Sequence, residues 1–93
     1  MIVKWTRRAT LDVERLCRFF AEYDHAAARE LAKRLDAAPE QLISFPRLGQ
    51  RVDGYELKEV RKLIISRYVL HYEVVDNEVL IMRIWHVRED RPG

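Results

Sequence analysis

Arg83, His86, Arg88 and Arg91 crowd together near the end of a 93-residue chain, in the stretch RIWHVREDR at residues 83–91. A histidine whose ordinary pKa is about 6.5 can take or give a proton near neutrality. Guanidinium forks match the geometry of phosphate and carboxylate oxygens. Together these groups fit one kind of chemistry, RNA cleavage, in which a base removes a 2′-hydroxyl proton while arginines hold the phosphate. The same residues also fit a solvated strand end, or a surface that grips another macromolecule. His86 can equally hydrogen-bond a neighbouring backbone group. Arg61, within EVRKLII, adds a second mid-strand arginine to Arg83. The pair can start an anion-binding surface, or be neutralised across strands by Glu59, Glu73 or Glu89.

Tyr55, Tyr68, Tyr72 and Trp85 lie in the same half of the chain, where they offer stacking faces for RNA bases or cross-strand packing. His71 and His25 are expected to be structural. With one cysteine, Cys17, and three scattered histidines, no metal site is expected. No glycine-rich loop is present to cradle a nucleotide, and Ser44 and Ser66 lack the sharp turn of a nucleophilic serine. Neither a metal nor a cofactor is therefore expected.

Residues 2–5, IVKW, predict a strand, and Thr6 can cap the helix that follows. Ala9, Val13, Leu16, Cys17 and Phe20 form a helical stripe, with Asp12, Glu14, Arg15 and Arg18 turned elsewhere. Asp24 caps a second helix with its own stripe of Ala28, Leu31, Ala32, Leu35, Leu42 and Ile43. Pro39 predicts a kink or break near Ala38. SFPRLGQRVDGYE reads as the one substantial loop. Beyond it the period falls to two in EVRKLII, YVLHYEVV and EVLIMRIWHV, joined by Ser66-Arg67 and Asp76-Asn77, which predicts consecutive hairpins. Strict alternation in the last strand puts Leu80, Met82, Ile84 and His86 on one face, and Val79, Ile81, Arg83, Trp85 and Val87 on the other. One or both of the last two strands should be central, since both of their faces are apolar. The fold class is thus α+β, β-α-α-β-β-β, with a helical hairpin packed on one face of a small antiparallel sheet. The other face is left to act.

A chain of 93 residues makes a single domain, 1–93. Lys+Arg 17 against Asp+Glu 15 nearly cancel, so net charge does not argue for nucleic acid. No run approaches the ~20 apolar residues of a membrane helix, and MIVKWTRR lacks a signal-peptide core. The lone cysteine suits a reducing compartment, so the expectation is a cytoplasmic protein without membrane partners.

In their order and spacing, TRRATLDVERLCRF, LISFPRLGQRV, EVRKLIISRYVLHYEV and VLIMRIWHVREDR resemble the RelE/ParE toxin superfamily of type II toxin–antitoxin systems. The resemblance implies a partner antitoxin whose C-terminal segment wraps and neutralises the toxin. It also implies one of two modes of growth inhibition. RelE-like members cleave mRNA on the ribosome with lysines, arginines and a C-terminal tyrosine or similar base. ParE-like members target DNA gyrase and lack that set. Here no tyrosine follows Tyr72, while Glu89 and Asp90 interrupt the basic run, and IWHVREDRP looks more like the ParE side. Lys58, Lys62 and Arg61 remain as cations that a nuclease could use. The expectation is a ParE-like gyrase inhibitor rather than an enzyme, contacting its target through Arg83, His86, Arg88 and Arg91. The alternative is an mRNA endoribonuclease acting on the ribosome through His86, Arg61, Arg83 and Arg88. A non-toxic interaction domain of the same fold is the third reading.

Overall fold

Thr6 both ends the first strand and starts the first helix. In the computed structural model, which describes residues 1–89, β1 spans Ile2–Trp5 and α1 spans Arg7–Tyr23. The Thr6 Oγ1 accepts the Ala9 N–H at 3.2 Å, satisfying a first-turn amide that has no helical partner. Its proton points to the carbonyls of Ile81 and Met82, at 3.1 and 3.2 Å, so the cap also stitches α1 to the last strand. Asp24 is the whole joint between helices. Its N–H closes α1 on the Phe20 carbonyl, and its carboxylate accepts the Ala27 N–H to open α2, His25–Ser44.

Ala9, Leu16, Leu31, Ala38 and Leu42 carry the helices into the core, with Val13, Phe20 and Leu35 packed around them. Cys17, Ala32 and Ile43, expected on the stripes, lie exposed instead. Pro39 removes one backbone donor, yet α2 continues to Ser44 without the expected break. Ala38 and Leu42, both buried, hold its last turns against the sheet.

Four further strands follow: β2 (Gln50–Arg51), β3 (Glu59–Ile65), β4 (Tyr68–Val75) and β5 (Glu78–His86). The order across the sheet is β1-β5-β4-β3-β2. β2 to β5 run antiparallel, as the short connections require, with Asp76 and Asn77 both at positive φ in the β4–β5 turn. β1 pairs with β5 in parallel, so the sheet is mixed rather than wholly antiparallel. The long excursion through both helices separates β1 from its neighbour, and no hairpin forces the two to oppose. β2, inside the segment expected to be loop, is too short and too exposed to show a period. β4 and β5 are both interior to the sheet.

The expected face assignment of β5 fails at one residue. Tyr72 pairs with Ile81 and His71 with Arg83, which leaves Met82 as a bulge. The extra residue shifts the alternation. Val79, Ile81, Ile84 and His86 therefore share the helix side with Tyr72, Leu70 and Tyr68, while Leu80, Arg83 and Trp85 lie with the open face.

Gly49 is required by space. A Cβ there would stand 2.7 Å from the Lys62 carbonyl oxygen and 2.8 Å from the Tyr72 hydroxyl. The Gly49 N–H also donates to that buried hydroxyl at 2.9 Å. Gly49→Ala should therefore cost about 1–3 kcal/mol, the range for overpacking against atoms that cannot give. Urea denaturation followed by circular dichroism reads the difference, and an unchanged midpoint would contradict the packing.

Candidate functional site

β1 stops at Trp5, opposite Ile81, so β5 beyond that point has no strand on its outer side. Two residues of α1, one turn apart, take the place of one. Asp12 Oδ2 accepts the Ile84 N–H at 3.0 Å, and Arg15 Nη2 reaches the Ile84 carbonyl at 3.4 Å. The same carboxylate receives Arg83 Nε at 2.8 Å, Arg83 Nη2 at 3.1 Å and Arg15 Nη1 at 2.6 Å. Burial alone would raise the Asp12 pKa. The hydrogen bonds from Arg83, Arg15 and the Ile84 amide outweigh it and hold the carboxyl below its ordinary range. Arg83, expected on the contact surface or at a phosphate, is thus committed to an internal ion pair. Asp12, expected to face outward, is only 1% exposed. Its spacing carried the signal, because it falls three residues after Ala9 and four before Leu16, on the buried stripe itself.

Glu89 is a second correction. It was expected to interrupt a basic surface, but it turns inward. Its carboxylate accepts the His86 N–H at 2.9 Å and receives Arg15 Nε and Nη2 at 3.1 and 3.2 Å. This carboxylate ties the end of β5 to α1. The tie leaves His86 half-buried, with its ring edge-on to Phe20 and Tyr68 at centroid distances of 5.7 and 5.3 Å.

His86 Nδ1 accepts the Arg88 N–H at 3.1 Å. Burial lowers the pKa of the ring, and the cationic side chains of Arg88 and Arg67 lower it further. Both effects favour the neutral imidazole. With the Nδ1 lone pair in use, its proton sits on Nε2. That geometry makes Nε2 a donor. To accept a proton there, the ring must switch tautomer and give up the Arg88 bond.

The other expected cation is also occupied. Arg61 donates through Nε to Glu59 at 2.7 Å and through Nη1 to the Gly49 carbonyl at 2.8 Å. Its partner is two residues back on the same strand rather than across the sheet. Glu59 also receives Arg47, at 2.9 Å. The Arg61 hydrogen bond, followed by that of Arg47, keeps its carboxyl below the usual range despite partial desolvation. Tyr68, Tyr72 and Trp85 are buried, and Tyr55 half-buried, so the aromatic set is mainly packing. On the open face, register aligns Lys62, His71 and Arg83 across β3, β4 and β5. His71 is buried there with its ring edge against Trp85 at 4.8 Å. The exposed Arg88 is the expected contact residue that remains presented to solvent with its charge. Arg91 lies outside the described residues.

The chain is similar in sequence and fold to known proteins. A model of the family described as ParE toxin of type II toxin–antitoxin system, parDE, matches residues 3–91. Toxin RelE2 of Caulobacter vibrioides is 33% identical over 84 residues, covering 90% of this chain and 92% of the relative. Toxin RelE1 of the same organism is 35% identical over 85 residues, covering 90% of each. Among solved structures, the toxin–antitoxin complex RelBE2 from Mycobacterium tuberculosis aligns with a TM-score of 0.69 at 26% identity, over 91% of this chain and 88% of that one. The chromosomal ParDE system of P. aeruginosa aligns with a TM-score of 0.63 over 92% of this chain and 95% of that one, at 22% identity, and shares the fold. No helix among the described residues is long and apolar enough to cross a membrane.

Proposed function

We propose that this chain, which belongs to the ParE toxin family of type II toxin–antitoxin systems, arrests growth by holding DNA gyrase and is kept silent by a cognate antitoxin. The observation that carries this reading is the state of the C-terminal strand end. Its histidine is favoured in the neutral form and hydrogen-bonded at Nδ1, and two of the arginines expected to grip phosphate are bound to internal carboxylates. Such a site offers hydrogen-bond donors and an exposed arginine to another protein. It does not offer a base with a ready lone pair, since the Nδ1 of His86 is engaged by the Arg88 N–H. The antitoxin half of the proposal draws support from the RelBE2 neighbour, which was solved as a toxin–antitoxin complex.

Gyrase immobilised on a sensor surface tests the target directly. Saturable binding of the purified chain is expected, and absence of binding at micromolar concentration overturns the reading. The second reading, a ribosome-dependent mRNA endonuclease, is favoured by the names of the RelE relatives. It expects codon-spaced transcript ends after induction, abolished in a double variant carrying His86→Ala and Arg88→Ala. Intact transcripts in growth-arrested cells exclude it. Normal growth at high expression without a partner would instead favour a non-toxic interaction domain.

A further inference from the structure

The exposed Arg88 sits in a turn whose backbone is fixed by hydrogen bonds. The Glu89 N–H donates to the His86 carbonyl at 2.9 Å, and the Arg88 N–H donates to His86 Nδ1 at 3.1 Å. The Val87 N–H donates to the Arg67 carbonyl at 2.8 Å, which docks the turn on the β3–β4 connection. Glu89 closes the turn from its other end. Its Oε1 accepts the His86 N–H at 2.9 Å, so residues 86 and 89 hold each other in both directions. Arg15 Nε and Nη2, at 3.1 and 3.2 Å, then tie that carboxylate to α1.

Little in this arrangement serves the core. Val87 and Arg88 are exposed and Glu89 is half-buried. Arg15 and Glu89 keep 39% and 31% of their side-chain surfaces, and ion pairs this accessible add little to global stability. α1 is already held to β5 by Asp12, through Arg83 and the Ile84 N–H. A carboxylate that gathers N–H donors from both α1 and the end of β5 therefore acts locally. It restricts the turn, and with it the direction in which the Arg88 side chain leaves the fold. An arginine on a fixed base meets its ligand at a lower ordering cost than one on a frayed end.

We infer that Glu89 is a positioning residue for target recognition: it acts through the turn to present Arg88 and makes no contact of its own with the target. Arg15 is its anchor. The inference rests on the proposed holding role of the strand end. The acid that interrupts the basic run thus supports recognition instead of opposing it, because Arg15 neutralises its charge.

A double-mutant cycle between Glu89 and Arg88 tests this, read as the dose of chain needed for half-maximal growth arrest. Glu89→Ala and Arg88→Ala should each raise that dose roughly fivefold, the scale of one side chain's ordering cost. The double variant should be no worse than Arg88→Ala alone, because a residue that acts through Arg88 then has nothing left to position. Glu89→Gln should fall between wild type and Glu89→Ala, since its amide oxygen can still accept the His86 N–H but carries no charge for Arg15. All four variants should melt close to the wild type. Independent losses that multiply to roughly 25-fold, or a gain of potency in Glu89→Ala, overturn the proposal. Hydrogen exchange on the purified chain gives a readout without any target. In Glu89→Ala the His86 and Arg88 amides should lose protection while the Ile84 amide keeps it. Unchanged protection at residues 86 and 88 overturns the proposal. Growth arrest and exchange are blind to the identity of the target, so failure of the chain to bind gyrase sinks the gyrase reading and leaves these results to decide the role of Glu89.

Discussion

Asp12→Ala is expected to lower the melting temperature of the chain by about 15 °C, which is among the largest effects a single residue can have in a domain this small. The substitution leaves the Arg83 guanidinium, Arg15 Nη1 and the Ile84 amide without their common acceptor. Removing one partner of a buried ion pair costs about 3–5 kcal/mol. The lower end applies here, because Arg83 keeps 17% of its side-chain surface and regains some hydration. At about 4–8 °C per kcal/mol for a domain of this length, ~3 kcal/mol gives a shift of that size. Asp12→Asn should fall roughly midway, since the amide oxygen can still accept the Ile84 N–H but offers no charge to Arg83. The pH dependence has a definite sign. The folded-state pKa of Asp12 is depressed, so the carboxylate stabilises the fold fully above the ordinary aspartate pKa of about 3.9. That contribution is lost as pH falls through the lower folded-state value. The wild-type advantage over Asp12→Asn should thus be flat from pH 5 to 8, roughly, and shrink in acid. Scanning calorimetry across pH decides it. Equal melting temperatures at pH 7 would show that the network does not hold α1 to β5.

The second large effect concerns function. Arg88→Glu should raise the amount of chain needed for half-maximal growth arrest by roughly tenfold or more, because a like charge set against a complementary surface costs several kcal/mol. His86→Asn should raise it only a few-fold. An asparagine places its Oδ1 where His86 has Nδ1, so it can still accept the Arg88 N–H and keep the strand end in shape, yet it cannot transfer a proton near neutrality. A nuclease reverses the ranking, with His86→Asn abolishing arrest. Dose–response curves from an inducible promoter, normalised to expressed protein, separate the two.

Much of this architecture can be read from residue spacing. IVKW, the threonine and aspartate caps and the change from helical to two-residue period locate β1, both helices and the three long strands. What spacing could not supply arises from contacts between distant segments. The parallel β1–β5 pair links residues at opposite ends of the chain, and no local signal encodes a pairing of that kind. The bulge at Met82 is set by how β5 registers against β4, and it moved Arg83 to the open face and His86 to the helix side. Charge was misread in both directions for the same reason. Asp12 and Glu89 look like surface acids in sequence, whereas Glu89 pairs with Arg15 and Asp12 with Arg83, each from the far end of the chain, Asp12 also holding its helix neighbour Arg15. His86 was legible as the residue to question, and its protonation state only became so once its Nδ1 partner and its aromatic neighbours were located.

The central claim is that this strand end holds a protein target and does not cleave RNA. Supercoiling of relaxed plasmid by purified gyrase, with the chain added in rising excess, measures it most directly. Supercoiling should fall as the chain saturates gyrase, accompanied by accumulation of cleaved plasmid, and His86→Asn should retain most of the effect. Undiminished supercoiling at toxin excess, with no cleaved complex, would contradict the claim.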